Sequence, residues 1–411
     1  MTISLLQGDF ARLWWGGLIS MTGSWMLTTA LPAYVYLTTH SVPAASLMFL
    51  ASLMPRVLLG SFAGVLADRF DRRGLMVRLN LLAAFSLLPL FGLSGGTLWP
   101  VYLVAMLETL VLLPLGPAEN AMLPTLVPDR LLARANVLNA LNNNLARLIG
   151  PALGGAVLSA WGLGAVVTAN VVSYLLAALL ISGLQRRGAQ TAAPTETLPQ
   201  AWRSGLQDVW RSPALRLLVL AIAVGSVGEG VFGVLLAPFV TEVLGGDARA
   251  YGLVISAQAI GGLIGGLVMT QFADRWSAAA LLTWGTVGLG LTDLALFLYP
   301  LWMPAVPPAL ALMVLAGVPA SASGAGWATL VQRHAGETSR GRAFGIAAQW
   351  SAVSLFLGVG VANLAHGPGL IVPVICVHAA TLLLSGLMLG LLGRGAGLFQ
   401  PASTPEPALH P

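Results

Sequence analysis

The chain has 411 residues, of which 57% are hydrophobic and only 9% charged, with a mean hydropathy of +0.83. A soluble domain carries roughly a quarter charged residues, so this composition excludes a water-soluble fold and places the chain in a bilayer. The net charge of +5 comes from arginine without any lysine and without basic clusters interleaved with aromatics, which argues against a nucleic-acid partner. One cysteine, Cys376, rules out an internal disulfide and a Cys-based metal site.

In chain order, apolar stretches long enough to cross about 30 Å of hydrocarbon fall at 12–37, 44–66, 75–94, 99–123, 133–160 and 164–184. Six more follow at 215–241, 250–272, 278–299, 305–328, 342–365 and 370–393. The pattern predicts an all-α integral membrane protein of twelve transmembrane helices. The first span follows MTISLLQGDFAR without a small-residue cleavage site, so no signal peptide is expected. Seventeen of the 20 arginines fall on the side of the N-terminus, Arg249 falls on the other, and Arg56 and Arg147 lie within helices. Positively charged loops stay cytoplasmic, so both termini are predicted inside.

The break at 185–214 divides the spans six and six. It gives an N-terminal bundle at 1–184, a C-terminal bundle at 215–394 and a disordered cytoplasmic tail at 395–411. Within the break, RRGAQTAAPTETLPQ reads as a flexible linker. Next, Trp202, Leu206 and Trp210 recur at i, i+4 and i+8, which predicts an amphipathic helix on the inner membrane surface. The halves echo each other at an offset of 206 residues: GSFAGVLADR ends at Arg69 and GLVMTQFADR at Arg275. A six-helix unit repeated in parallel is a transporter architecture, with its cavity between the halves.

The stretches PRVLLGSFAGVLADRFDRR, LPTLVPDRLLARANVLN, LIGPALGG and SRGRAFG carry a resemblance that covers nearly the whole chain. The chain resembles the major facilitator superfamily, in its bacterial exporter branch of enterobactin-exporter-like and macrolide-efflux-like proteins. The resemblance implies two pseudo-symmetric six-helix bundles. It also implies a gating latch after the second helix, with Asp68 meeting the start of helix 11, where Arg340 and Arg342 stand. Gly60, Gly64 and Asp68 share one helical face, smooth enough for close approach. Asp68 and Arg69 are read as gating, and Arg72 and Arg73 either as part of the latch or as topogenic charges against anionic headgroups. The second copy is degraded: Thr270 replaces the glycine and Ala278 and Ala279 the arginine pair, leaving Asp274 and Arg275 to mirror the latch toward Arg130 or Arg134. Gly150, Pro151, Gly154 and Gly155 resemble the antiporter signature of exporters, although Ala146 stands where glycine is frequent.

Charges inside a bilayer are costly and therefore functional candidates. Arg56, Glu108, Arg147 and Glu229 fall roughly 14–20 Å below the outer helix ends, near the midplane. Glu229, between Gly228 and Gly230, is a candidate for proton coupling or substrate contact; Glu108 is a candidate for a buried ion pair with Arg147 or Arg56. Asn136, Asn139, Asn142, Asn143, Asn144, Gln258 and Gln349 are weaker cavity candidates, and Asp293 is assigned to structure or to the outer rim. Glu119 occupies a position where relatives often carry a basic residue.

No phosphate-binding loop, HExxH or clustered histidines occur, so neither an enzyme, a cofactor nor a metal is expected. These features together predict a monomeric, multi-pass secondary transporter of a bacterial inner membrane. It would exchange protons for a mid-sized amphipathic compound that is drug-, macrolide- or siderophore-like. The alternatives are a lysophospholipid or metabolite transporter of the same fold, or a polytopic sensor or scaffold that transports nothing.

Overall fold

The computed structural model describes residues 8–93, 97–185, 198–272, 275–335 and 340–399. The side chains at 60–69, 129–130, 133, 198–202, 270–272, 340–341 and 368 also lie outside the description. Among the described residues the regular structure is helical. The helices are α1 (Gly8–Thr39), α2 (Val42–Arg69), α3 (Arg72–Ser86), α4 (Trp99–Leu112), α5 (Leu115–Leu126), α6 (Asp129–Ser182) and α7 (Leu198–Arg211). They continue with α8 (Pro213–Pro238), α9 (Ala248–Phe272), α10 (Ala278–Leu298), α11 (Val306–His334), α12 (Arg340–Ala362) and α13 (Pro368–Leu392).

Polar residues set several of the starts. The side chains of Ser41, Asp71, Ser212 and Ser277 each accept a hydrogen bond from a first-turn amide of α2, α3, α8 and α10 respectively. At Leu113 and Pro114 one span is interrupted, separating α4 from α5. The 54 residues of α6 make two spans, because Gly162 takes φ 78° and ψ −179°, a left-handed setting that suits glycine. The two limbs of α6 flank α1 in opposite directions: Gly16 and Gly17 of α1 adjoin Ala177, Ile181 and Asn142, while Gly23 and Met26 adjoin Ser173, Asn170 and Gly154. With α4 and α5 counted as one and α6 as two, the described helices give twelve membrane-length segments plus α7.

The repeat seen in sequence reappears in the helix starts. Val42 of α2 and Ala248 of α9 are 206 residues apart, as are Arg72 of α3 and Ala278 of α10. The packing repeats as well: α1 lies against α6 in the first half, and α8 against α12 and α13 in the second.

The first and last described residues, Gly8 and Phe399, lie on one face, here termed the terminal face. Asp9 accepts a hydrogen bond from the amide of Gln185 at 2.9 Å, and Arg12 donates to the carbonyl of Gly183. Leu398 is buried in one apolar cluster with Val209, Ala214 and Leu218. The opposite, far face carries the α1–α2 and α8–α9 connections.

The helix at 198–211 forms and packs one side on α12: Val209 is buried, Gly205 abuts Arg342, the Trp210 and Trp350 rings meet edge to face at 6.4 Å, and Arg342 lies 3.8 Å from Asp208, while Trp210 stays 45% exposed. The chain end stays folded longer than predicted, since Leu398 and Phe399 pack on the same cluster; residues 400–411 lie outside the description.

Glycine sets the closest helix contacts. A Cβ on Gly154 would lie 2.5 Å from the Met26 carbonyl oxygen, whereas one on Gly164 would meet nothing within 4 Å. Gly154→Val is therefore expected to cost about 1–3 kcal/mol through overpacking, and Gly164→Ala to stay within about 0.5 kcal/mol of the parent. Thermal unfolding followed by tryptophan fluorescence in detergent checks the pair: equal melting temperatures would refute the contact.

Candidate transport site and gate

The two halves meet in a seam near the far face, where the first limb of α6 runs along α9. Gly155 leaves no room for a side chain against the backbone of Ala248, and Gly252 none against Pro151. The antiporter-like stretch is thus divided by helical geometry: Gly150 and Gly154 face Trp25 and Met26 of α1, whereas Pro151 and Gly155 face α9. Pro151 has no N–H to give the helix, and the next amide, of Ala152, donates across the seam to Ser256 Oγ at 3.0 Å.

Polar contacts flank this glycine seam. Ser159 donates to Asp247 Oδ2 at 3.0 Å, and Arg147 donates to Gln258 Oε1 at 3.0 Å while lying 5.9 Å from the Trp25 ring centroid. Nearer the far surface, His40 Nδ1 and Glu242 Oε1 stand 3.1 Å apart, and His40 holds a positive φ of 48°. They line a far-face cavity of about 570 Å³ with Tyr36, His366 and Ile371. Asp247, in the loop before α9, is held below the ordinary aspartate range. Burial pushes the other way, but the Ala250 amide and the Ser159 hydroxyl favour the carboxylate.

The four intramembrane charges separate. Glu108 is buried inside the first half, where Tyr174 and Asn170 (3.3 Å) donate hydrogen bonds to it and Ser24 bonds Tyr174 Oη at 2.9 Å. The expected partner Arg147 is instead committed to Gln258, and Arg56, which is exposed, acts on Glu108 through its charge. Glu108 therefore belongs to a structural polar knot rather than to a cavity wall. Glu229 is exposed and lines a cavity of about 300 Å³ with Ser226, Thr286, Ser323, Trp327 and Ser385. Nearby, His378 Nε2 and Asp293 Oδ2 form a 3.0 Å pair with both side chains almost fully buried. Sequence position assigns Asp293 to structure or to the outer rim and does not single out His378. An ionisable side chain in the apolar run GLIVPVICVHAATLLL was the available signal.

Of the gating residues, Arg72 and Arg73 are braces within the first half: Arg72 donates to the Ala121 carbonyl at 2.9 Å and Arg73 to that of Ser182, the last residue of α6. Arg134 and Arg275 are exposed, and Arg342 is engaged with Asp208. The side chains of Gly60, Gly64, Asp68, Arg69 and Arg340, and the whole of Asp274, lie outside the described residues. Glu119 Oε1 and Asn142 Oδ1 are buried acceptors without a hydrogen-bond partner, both on the side facing Gly17.

The chain matches the family model described as Major Facilitator Superfamily over residues 13–359 and 218–405. It is 27% identical over 410 residues to the multidrug efflux pump Tap of Mycolicibacterium fortuitum, covering 94% of each chain. To macrolide efflux protein A of Streptococcus pyogenes it is 24% identical over 291 residues, 69% of this chain and 71% of that one. A match to the MFS-type transporter YfiS of Bacillus subtilis, 27% identical over 202 residues, spans about half of either chain, 48%. In fold it is similar to a bacterial homologue of the iron transporter ferroportin in an inward-facing state, with a TM-score of 0.75, 19% identity and coverage of 94% and 98%. With its two six-helix halves, glycine seam and full-length family match, the chain belongs to the Major Facilitator Superfamily, a family of transporters and not of enzymes.

Proposed function

We propose that this protein is a proton-coupled exporter of mid-sized amphipathic compounds, of the drug, macrolide or siderophore-like class, working by alternating access as a monomer in a bacterial inner membrane. The terminal face is cytoplasmic in this reading, as the distribution of arginines favours. The observation that carries it is the far-end seam. It joins the halves through backbone-close glycines, polar bonds and a buried apolar cluster that runs across both halves, whereas the other buried clusters each stay within one half, so the closure is confined to this end. The described conformation then has its extracellular end closed. The efflux-pump relatives support the direction and the class of cargo.

In the other half of the cycle the far seam opens and the terminal face closes. Asp68, with Arg69, is assigned to that closure, drawing on the start of α12; Asp274 and Arg275 are assigned to the weaker counterpart toward Arg134. Glu229 is assigned to the proton, because a carboxylate facing a cavity of about 300 Å³ can exchange protons with water that enters it.

Three outcomes test this reading. In a Cys376→Ser background, Ser159→Cys with Asp247→Cys is expected to form a disulfide on oxidation that stops ethidium efflux from proteoliposomes and releases it on reduction. Unchanged flux in the oxidised protein would mean that the seam does not move. Asp68→Asn and Glu229→Gln are each expected to slow efflux driven by a pH gradient about tenfold or more; parent-level flux in both would sink the coupling assignment. The third concerns pH. The Asp247 carboxyl is held below its ordinary value of 3.8 in the closed seam, so its contribution to closure is complete above that value and is lost as pH falls through the lowered one. Asp247→Ala should therefore raise far-face accessibility to a thiol reagent at neutral pH, by a difference that shrinks only below about pH 4.

A further inference from the structure

Buried in the second half is an ionisable pair for which neither the gate nor the cavity accounts. His378 of α13 and Asp293 of α10 are 3.0 Å apart, with side-chain exposures of 4% and 3%. The imidazole lies against Phe232 at 4.9 Å and meets the edge of Phe297 at 6.1 Å, so its surroundings are otherwise apolar. A buried ionisable pair is a poor way to join helices, since well-packed apolar side chains join them at least as well. The contact α8 makes there suggests another use. A Cβ on Gly228 would lie only 2.7 Å from the His378 Cα, and the next residue is Glu229, which is exposed to the cavity. Asp293 meets the imidazole from α10, and Glu229 stands on the adjoining turn of α8; these two are the charged groups near it among the described residues.

The ring nitrogens are not equivalent. Nε2 needs its hydrogen to donate to Asp293, while Nδ1 is buried without a hydrogen-bond partner, with the Gly228 carbonyl close by. A neutral imidazole thus leaves one lone pair free inside the protein, on the side of α8.

We propose that Asp293, His378 and Glu229 form one proton-exchanging unit: Glu229 takes a proton from the cavity, and His378, oriented by Asp293, receives it at Nδ1 and holds it. In this step the O–H bond of the Glu229 carboxyl breaks to leave a carboxylate. An N–H bond forms on the Nδ1 lone pair, and the resulting imidazolium is countered by the Asp293 carboxylate. No other reactant is needed. The unit keeps a proton inside the second half while Glu229 is free to change its exposure. The proposal rests on the proton-coupled reading above and adds to it the site where the proton resides.

The test has two arms that separate the proposal from that reading. The first needs no substrate: imidazole-¹⁵N-labelled protein in nanodiscs is titrated from pH 4 to 10 by NMR, with His378→Asn used to assign the resonance. Glu229→Gln is expected to move the His378 midpoint down by about half a pH unit or more, and Asp293→Asn further, because each removes a facing negative charge. A midpoint that Glu229→Gln leaves in place, or a His378 that does not titrate, overturns the proposal. The second arm compares ethidium efflux driven by a pH gradient with ethidium exchange at equal pH. His378→Gln and Asp293→Asn should lose about tenfold of the first and keep the second within about twofold. A parallel fall in both marks a packing role and overturns the proposal. If the parent protein itself ignores the pH gradient, the coupling reading fails and the titration still decides whether the three residues form a unit.

Discussion

Helices in lipid gain little by burying apolar surface against one another, so their association depends on how closely their backbones approach. In this protein that approach is set by glycine, and the same device serves contacts with opposite duties. Gly261 and Gly317 fix α9 to α11, and Gly230 and Gly358 fix α8 to α12, each with no room for a Cβ. Gly155 and Gly252 do the same between α6 and α9, but across the halves. What differs is the surroundings. The seam shares a buried apolar cluster with both halves, but it is bordered in addition by Ser159, Asp247, Arg147 and Gln258, whose hydrogen bonds can be exchanged for water.

The same division sorts the charges. Glu108 has its hydrogen bonds satisfied by Tyr174 and Asn170 and is sealed within the first half, and Arg72 and Arg73 end on backbone carbonyls of α5 and α6. Such groups hold helices in register and move with them. Glu229, by contrast, is exposed to a cavity. Sequence position places Glu108 and Glu229 at similar depth, and it does not show that the hydrogen-bond partners of Glu108 are Tyr174 and Asn170.

Legibility follows from range. The twelve spans and the 206-residue repeat are properties of local composition and spacing, and the helix starts reproduce them closely. The partners of Glu108 come from 62 and 66 residues away, and Asp293 meets His378 from a different helix, so no window along the chain contains either pair. The amphipathic pattern of α7 is visible in the sequence, whereas its contact with α12, where Gly205 abuts Arg342, comes from a distant part of the chain.

Along α8 these themes converge on one helix. Gly228 lies on His378, Glu229 faces the cavity, Gly230 lies on Leu355 of α12, and Gly233 receives the ring of Phe49 from α2 in the other half. Past its end, Glu242 meets His40 at the far face. The packing of Gly228 on His378, the exposure of Glu229 to its cavity and the contact of Gly233 with Phe49 are therefore fixed relative to one another by one continuous helix, so that this helix joins the interior of the second half to its contact with the first.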